Sequence, residues 1–132
     1  ENKVIGVDIV KSAIENAKNN AKKNKITNIK FICDDVGKFL LNNPKYHNKI
    51  HTIVIDPPRA GIAPKALRKA IRLNAQKIIY VSCNPSTQAR DLHTLSEMGY
   101  EMEKFSLVDQ FPHTAHIESI MTFKKSTGNI DP

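Results

Sequence analysis

The side chain of Cys83 is the strongest candidate for chemistry in this sequence. It lies in the string Val-Ser-Cys-Asn-Pro at positions 81–85, at the end of an apolar run, residues 77–81, that predicts a buried strand. The Asn-Pro pair ends that strand, and a helical segment follows. Open α/β sheets bind ligands at the carboxyl ends of their strands, and the positive end of a following helix favours the nucleophilic thiolate. Cys83 is therefore a candidate nucleophile, and a small buried thiol is the alternative that this position alone leaves open.

Two other strings carry side chains suited to an active site. Asp-Pro-Pro-Arg-Ala-Gly, at positions 56–61, follows a β-branched run that predicts a strand over residues 50–55. Phe-Pro-His-Thr-Ala-His-Ile-Glu-Ser, at positions 111–119, contains His113, His116 and Glu118. Carboxylates and imidazoles are the usual acids and bases of enzymes, so both strings are candidates for an active site.

Polar side chains also follow the earlier strands. Asp8 ends a short apolar run, and Asp35 lies in the loop after the second predicted strand. Together with Asp56 and Cys83, they place four polar groups after four successive strands. Because the carboxyl ends of parallel strands meet at one edge of a sheet, this arrangement predicts a ligand crevice.

Apolar periodicity and turn residues predict six strands and four helices. The strands are expected at 4–7, 28–33, 50–55, 77–81, 100–107 and 117–124, and the helices at 11–24, 36–41, 64–73 and 85–98. Their alternation predicts an α/β fold with a mostly parallel sheet and helices on both faces. The last two strands have no helix between them, which predicts an antiparallel pair. We expect one domain over residues 1–125 and a disordered tail over residues 126–132.

The amino-acid composition gives only weak information about the class of protein. The 20 Lys and Arg residues exceed the 13 Asp and Glu residues, and the net charge of +7 weakly favours a polyanionic partner. Two cysteines form neither a zinc site nor a disulfide framework, which favours a reduced, cytoplasmic setting, and Cys33 is predicted to be a core residue. No apolar run approaches the roughly 20 residues of a membrane helix, so we expect no membrane partner.

The three strings, in this order and spacing, resemble the RNA (uracil-C5)-methyltransferases. The string around Cys83 matches with Ser-Cys-Asn-Pro at positions 82–85 and with Ala-Arg-Asp at positions 89–91. Members of this family use S-adenosyl-L-methionine (SAM) to make 5-methyluridine in tRNA or 23S rRNA. The resemblance covers nearly the whole chain. It implies a Rossmann-like SAM-dependent methyltransferase domain with structured RNA as its partner and no metal.

The resemblance implies the two catalytic roles. Cys83 is expected to add to C6 of uracil, because C5 alone is too weak a nucleophile to attack a methyl sulfonium. Glu118 is expected to be the general base that removes the C5 proton so that the cysteine can leave. His113 and His116 are the next candidates for the base, and pocket-shaping, RNA-contacting or purely structural roles are open for both.

The resemblance also implies three cofactor residues. Asp8 is expected to accept from the ribose hydroxyls of SAM, although the family usually has glutamate here and an N-cap would also explain an aspartate. Asp35 matches the position at the adenine edge, with a capping role as its competitor. Asp56 matches the aspartate beside the methionine moiety and the target base. Two roles are open for Arg59: a contact with an RNA phosphate and an ion pair with Asp56.

Other parts of the family pattern are not found in these 132 residues. They are the N-terminal RNA-binding domain, the glycine-rich SAM loop and the first strand of the sheet. We therefore expect the chain by itself to bind SAM weakly or not at all, to lack detectable activity, and to form oligomers through unpaired strand edges. Two rival functions are kept: an amino-methyltransferase of nucleic acid, which needs no cysteine, and a non-catalytic RNA-binding remnant.

Overall fold

The computed structural model describes residues 2–109 and 117–126. The chain divides into two compact units, Glu1–Pro44 and Lys45–Pro132, which are described separately.

The first unit is built from strands and helices in alternation. Its four elements are strand β1 (Val4–Asp8), helix α1 (Lys11–Lys23), strand β2 (Ile29–Cys33) and helix α2 (Val36–Asn42). The two strands pair in parallel, with Val4 opposite Ile29 and Asp8 opposite Cys33. Among the side chains of these helices, Ile14 and Phe39 are buried. Both strands therefore end at the same edge of this two-stranded sheet.

The second unit holds a four-stranded mixed sheet. Its elements, after a short 3₁₀ helix at Pro44–Tyr46, are β3 (Thr52–Ile55), α3 (Pro64–Ile71), β4 (Lys77–Ser82), α4 (Pro85–Glu97), β5 (Tyr100–Val108) and β6 (Glu118–Lys125). The strand order is β3-β4-β6-β5. Strands β3 and β4 are parallel, while β6 is antiparallel to both β4 and β5.

The core of the second unit lies on the face of the sheet that carries both helices. Strand β4 alternates between partly exposed and fully buried positions, as expected when helices cover only one of its faces. The buried cluster consists of Leu67, Ile71, Ile78, Tyr80, Leu95, Tyr100 and Phe123. Ser82 continues the buried side of β4 to the end of the strand.

The α/β class and the types of all ten elements agree with the sequence prediction. The predicted antiparallel pair of the last two strands is confirmed as well. The predicted sheet was mostly parallel, whereas the described strands form two sheets, one parallel and one mixed. The reason is that β6 lies between β4 and β5 and is antiparallel to both, so β4 has one antiparallel neighbour. The predicted tail begins at Ser126, whose N–H donates to the Gly99 carbonyl at 2.7 Å, and residues 127–132 lie outside the described residues.

A buried ionic hydrogen bond joins β4 to α4. The Tyr80 hydroxyl donates to Oδ2 of Asp91 at 2.6 Å, and Arg90 lies 3.3 Å from the other carboxylate oxygen. Burial, and then the bond to Asp91, raises the pKa of Tyr80 well above its usual value. Burial likewise raises the pKa of Tyr100.

We expect Tyr80→Phe to lower the free energy of unfolding by about 2 kcal/mol at neutral pH, because a hydrogen bond to a buried carboxylate is lost. A tyrosine with a raised folded-state pKa contributes its full stability below pH ~10 and loses it as the pH rises further. The fall in stability above that pH should therefore be shallower in the variant. Urea unfolding at pH 7 to 11 measures both effects, and unchanged stability at pH 7 would contradict the prediction.

In the described part of the chain, no helix has the length and apolar character that crossing a membrane requires.

Candidate functional site

Cys83 lies in the two-residue connection between β4 and α4. The hydroxyl of Ser82 donates to the Asn84 carbonyl at 3.0 Å and accepts from the Asn84 N–H at the same distance. These two bonds close a tight turn with Cys83 at its apex. The thiol residue is partly exposed, so a reagent can reach it while the turn holds its backbone.

Asn84 fixes this connection to the start of α4 and to a neighbouring loop. Its side-chain oxygen accepts from Ser86 N–H at 3.1 Å, which makes it the N-cap of α4. Its amide nitrogen donates to the Arg59 carbonyl at 3.1 Å. The Cys83 turn and the Asp56–Gly61 loop are therefore joined directly.

Gly61 lets the Asp56–Gly61 loop approach α4. Its φ is +82°, and a Cβ here would lie 2.9 Å from the Arg90 guanidinium and 3.1 Å from Cβ of Thr87. Its N–H donates to the Pro58 carbonyl at 2.8 Å, which closes the loop on itself. Only glycine satisfies both the left-handed backbone and the close approach.

The register of the sheet brings Glu118 beside Cys83. Strands β4 and β6 pair from Lys77 opposite Lys124 to Ser82 opposite Ser119. Cys83 and Glu118 are the residues that come directly after this last pair, and Glu118 is the first residue of β6. The candidate nucleophile and the candidate base thus lie at one edge of the sheet.

Asp56 lies at the same edge of the same sheet. It follows β3, whose last residue, Ile55, is opposite Tyr80, so the next position sets Asp56 beside Val81. It is exposed. Three predicted site residues therefore lie at the same ends of three adjacent strands: Asp56 directly after β3, Cys83 directly after β4, and Glu118 as the first residue of β6. Arg59 is exposed, and no ion pair joins it to Asp56 within residues 2–109 and 117–126.

In the first unit, Asp8 closes the turn after β1. Its Oδ1 accepts from the Val10 N–H at 2.7 Å, and its side chain is exposed. The N-cap of α1 is Val10, so the capping role considered for Asp8 is wrong. A carboxylate in this turn keeps acceptor capacity for further donors.

Asp35 has the capping role that the sequence left open. Its Oδ1 accepts from the Lys38 N–H at 2.9 Å, and it is the N-cap of α2. Asp34 is distinct from it, since its side chain accepts from the Asp35 N–H at 2.8 Å. Both follow β2, at the end of the sheet where Asp8 is the last residue of β1. The predicted core position of Cys33 is wrong: it is the last residue of β2, and it is exposed.

His113 and His116 lie outside the described residues. Among the residues that are described, no three His, Cys, Asp or Glu side chains are grouped so as to hold a metal ion. A groove of about 320 Å³ in the first unit runs between α1 and β2, and none of the predicted site residues lines it.

Sequence reasoning missed the buried polar residues behind the site. Gln88, Asp91, Ser82 and Ser119 are all at least 97% buried. Asp91 was noticed only as part of a family string, but its contacts with Tyr80 and Arg90 are structural. Helical spacing was a usable signal, since Gln88, Asp91 and Leu95 follow each other at intervals of three and four residues on one face of α4.

A solved structure with the same fold identifies the class of protein. The Pyrococcus abyssi tRNA (uracil-54, C5)-methyltransferase, in complex with S-adenosyl-L-homocysteine, matches with a TM-score of 0.72 and 31% identity. The match covers 92% of this chain and 28% of that one. The chain thus has the Rossmann-like α/β fold of the SAM-dependent methyltransferases.

The family follows from the sequence comparisons. The model of the tRNA (Uracil-5-)-methyltransferase family matches residues 1–126, and the chain belongs to that family. An uncharacterized RNA methyltransferase of Clostridium acetobutylicum is 44% identical over 123 residues, which are 93% of this chain and 26% of that protein. The 23S rRNA (uracil(1939)-C(5))-methyltransferase of Haemophilus influenzae is 41% identical over 119 residues, 90% of this chain and 27% of that enzyme. The chain spans about a quarter of the length of these relatives.

Proposed function

We propose that this chain supplies catalytic residues for methyl transfer from SAM to C5 of a uridine in tRNA or 23S rRNA. The observation that supports the proposal is the register of β4 and β6, in which Ser82 and Ser119, the neighbours of Cys83 and Glu118 in the sequence, form the last pair. The relatives named for tRNA and 23S rRNA uracil methylation support the substrate class.

Cys83 acts as the nucleophile. Its thiolate forms a bond to C6 of uracil, and the electron pair of the C5–C6 double bond moves to C5 and the O4 carbonyl. C5 thereby gains the carbanion character that a methyl transfer requires. The hydrogen bonds between Ser82 and Asn84 hold the backbone of Cys83 in a fixed turn before α4 while that bond forms.

Glu118 acts as the general base. After the transfer, C5 carries both a proton and the new methyl group. The carboxylate takes the proton, the C5–C6 double bond forms again, and the electron pair of the S–C6 bond returns to Cys83 as thiolate. Atoms and charge balance, and both residues are ready for a second turnover once the Glu118 proton is lost to water.

The carboxylates of the first unit suit a bound SAM. The exposed Asp8 carboxylate has acceptor capacity for ribose hydroxyls beyond the bond from Val10. Asp35 uses one oxygen as a helix cap and has a second for the adenine edge. In the second unit, Asp56 lies beside the catalytic pair. When bound, SAM supplies the methyl group that C5 accepts.

We expect Asp8→Asn to weaken SAM binding about tenfold or more, because a charge-assisted acceptor of the ribose hydroxyls is lost. The measurement is a calorimetric titration of a chimera in which this chain replaces the matching segment of the Haemophilus influenzae enzyme. Asp35→Asn tests the adenine contact separately, because asparagine also serves as an N-cap and should leave α2 intact.

The matched control for these titrations is Glu15→Gln, which removes an exposed carboxylate from α1 without altering the loops after the strands. Its SAM affinity should equal that of the unaltered chimera. Equal affinity in Asp8→Asn as well would contradict the role of Asp8.

A further inference from the structure

Gln88 is a buried polar side chain directly behind the catalytic edge. It lies in the first turns of α4, five residues after Cys83, and is only 1% exposed. A buried amide is costly unless both its donor and its acceptor are satisfied. The partners that satisfy it are on two different strands.

The amide of Gln88 bridges β4 and β6. Its Nε2 donates to the Tyr80 carbonyl at 3.1 Å, and its Oε1 accepts from the hydroxyl of Ser119. A backbone carbonyl only accepts, so the nitrogen must face Tyr80 and the oxygen must face Ser119. The orientation of the amide is therefore fixed by its partners.

The Ser119 contact lies at the last pair of the ladder between the two strands, and Tyr80 lies two residues before that pair on β4. Ser119 is fully buried opposite Ser82, and its hydroxyl is 3.4 Å from the Ser82 carbonyl. Cys83 and Glu118 come directly after this last pair. The end of a ladder is where strands separate most easily. A side chain that fastens this pair therefore limits the movement of the two catalytic residues relative to each other.

We propose that Gln88 is a positioning residue that holds the Glu118 end of β6 against the Cys83 end of β4. That Gln88 fastens β6 to β4 rests on its hydrogen bonds alone. That this fastening matters for catalysis rests on the proposed function. An apolar side chain of similar volume would fill the same space. The amide adds a directional link between α4 and both strands, which dispersion contacts do not provide.

Amide hydrogen exchange of the 132-residue chain tests the structural part. Gln88→Met keeps the length of the side chain and its helix propensity but removes both bonds. We expect exchange at Val81, Ser82, Ser119 and Ile120 to rise about tenfold, with little change at the far end of the ladder, residues 77–79 and 122–124. A uniform rise along the ladder, or no rise, would overturn the proposal.

Tyr100→Phe is the matched control. It also removes one buried hydrogen bond, from the Tyr100 hydroxyl to the Ala75 carbonyl at 2.5 Å, at the opposite end of the sheet. Faster exchange should then appear at that end and not beside Cys83. If Gln88→Met does not fold, Ser119→Ala takes its place, because it removes only the partner of Gln88 on β6. Exchange should rise at the same residues beside Cys83, and a Ser119→Ala variant without this local rise would count against the proposal.

The catalytic part is tested by steady-state methylation in the chimera. Gln88→Met should lower kcat about tenfold, since misplacing reacting groups by a fraction of an ångström is costly, while KM for the RNA is unchanged. Tyr100→Phe should leave kcat unchanged. An unaltered kcat in Gln88→Met refutes the positioning role. A chimera that does not methylate with Gln88 in place refutes the proposed function instead, and the exchange pattern still decides whether Gln88 fastens the strands.

Discussion

Replacing Cys83 with alanine should abolish both the covalent complex with 5-fluorouridine RNA and the methylation of ordinary RNA. Fluorine at C5 does not leave as a proton does, so Glu118 has nothing to remove and the S–C6 bond persists. The loss of activity should reach 10⁴-fold or more, on the order seen when other enzymes lose their nucleophile. Denaturing gel electrophoresis of the chimera with 5-fluorouridine RNA shows the complex, and transfer of labelled methyl groups gives the rate.

Cys33→Ala is the control that this chain offers. Cys33 is the other cysteine, exposed at the end of β2, and its replacement should leave both readouts intact. A complex that survives in Cys83→Ala but not in Cys33→Ala would reassign the nucleophile. Full methylation by Cys83→Ala would favour the rival function, an amino-methyltransferase, because that chemistry needs no thiol.

The sequence was most informative where each strand is followed by a polar residue. The apolar runs before Asp56 and Cys83 predicted two parallel strands, and the described structure places both residues at the corresponding strand edge. The reason is that an apolar or β-branched run and a following turn are local properties, readable from about ten residues. The same local reasoning predicted a helix with Pro64 in its first turn and another that begins at Pro85 or Ser86, and α3 and α4 begin at Pro64 and Pro85.

The pairing of β6 was not predictable in this way. The sequence of residues 117–125 does not indicate whether that strand lies at an edge of the sheet or between two other strands, because its position depends on strands far along the chain. The closeness of Glu118 to the end of β4 is a consequence of this placement. The position of Cys83 alone made it a candidate nucleophile, but the pairing of Cys83 with Glu118 as base came only from the family resemblance. The buried bridge through Gln88 was missed for the same reason: glutamine is usually a surface residue, and its two partners are eight residues upstream and thirty-one residues downstream.

The errors at Asp8 and Cys33 arose at element boundaries. Asp8 was considered as a helix cap because it precedes α1 by a few residues, but the chain inserts one more turn and Val10 occupies the cap. Cys33 was assigned to the core, although the predicted strand, 28–33, also ended at this residue; as the last residue of β2 it is exposed. The side chains that are covered at an element end depend on residues elsewhere in the chain, which local sequence patterns do not show.

Glu118→Gln should convert the enzyme into a trap for its ordinary substrate. The amide keeps the shape of the carboxylate but does not accept the C5 proton, so Cys83 stays bound to C6 after methyl transfer. We expect turnover to fall about 10²- to 10⁴-fold, the usual contribution of a general base, with a denaturation-stable complex on RNA that contains no fluorine. Glu101→Gln removes an exposed carboxylate from β5 and should behave as the unaltered protein.

Whether the trapped complex contains the transferred methyl group shows at which step of the reaction Glu118 acts. With SAM labelled in its methyl group, a complex formed before proton removal but after methyl transfer carries one label for each covalently bound RNA. An unlabelled complex would mean that Glu118 is needed earlier, for thiolate addition or for the transfer itself. Turnover at the unaltered rate would remove Glu118 from the mechanism and make His116 the next residue to replace. We expect the labelled complex, because C5 has to lose its proton only after it has accepted the methyl group, and that is the step for which the carboxylate of Glu118 is proposed.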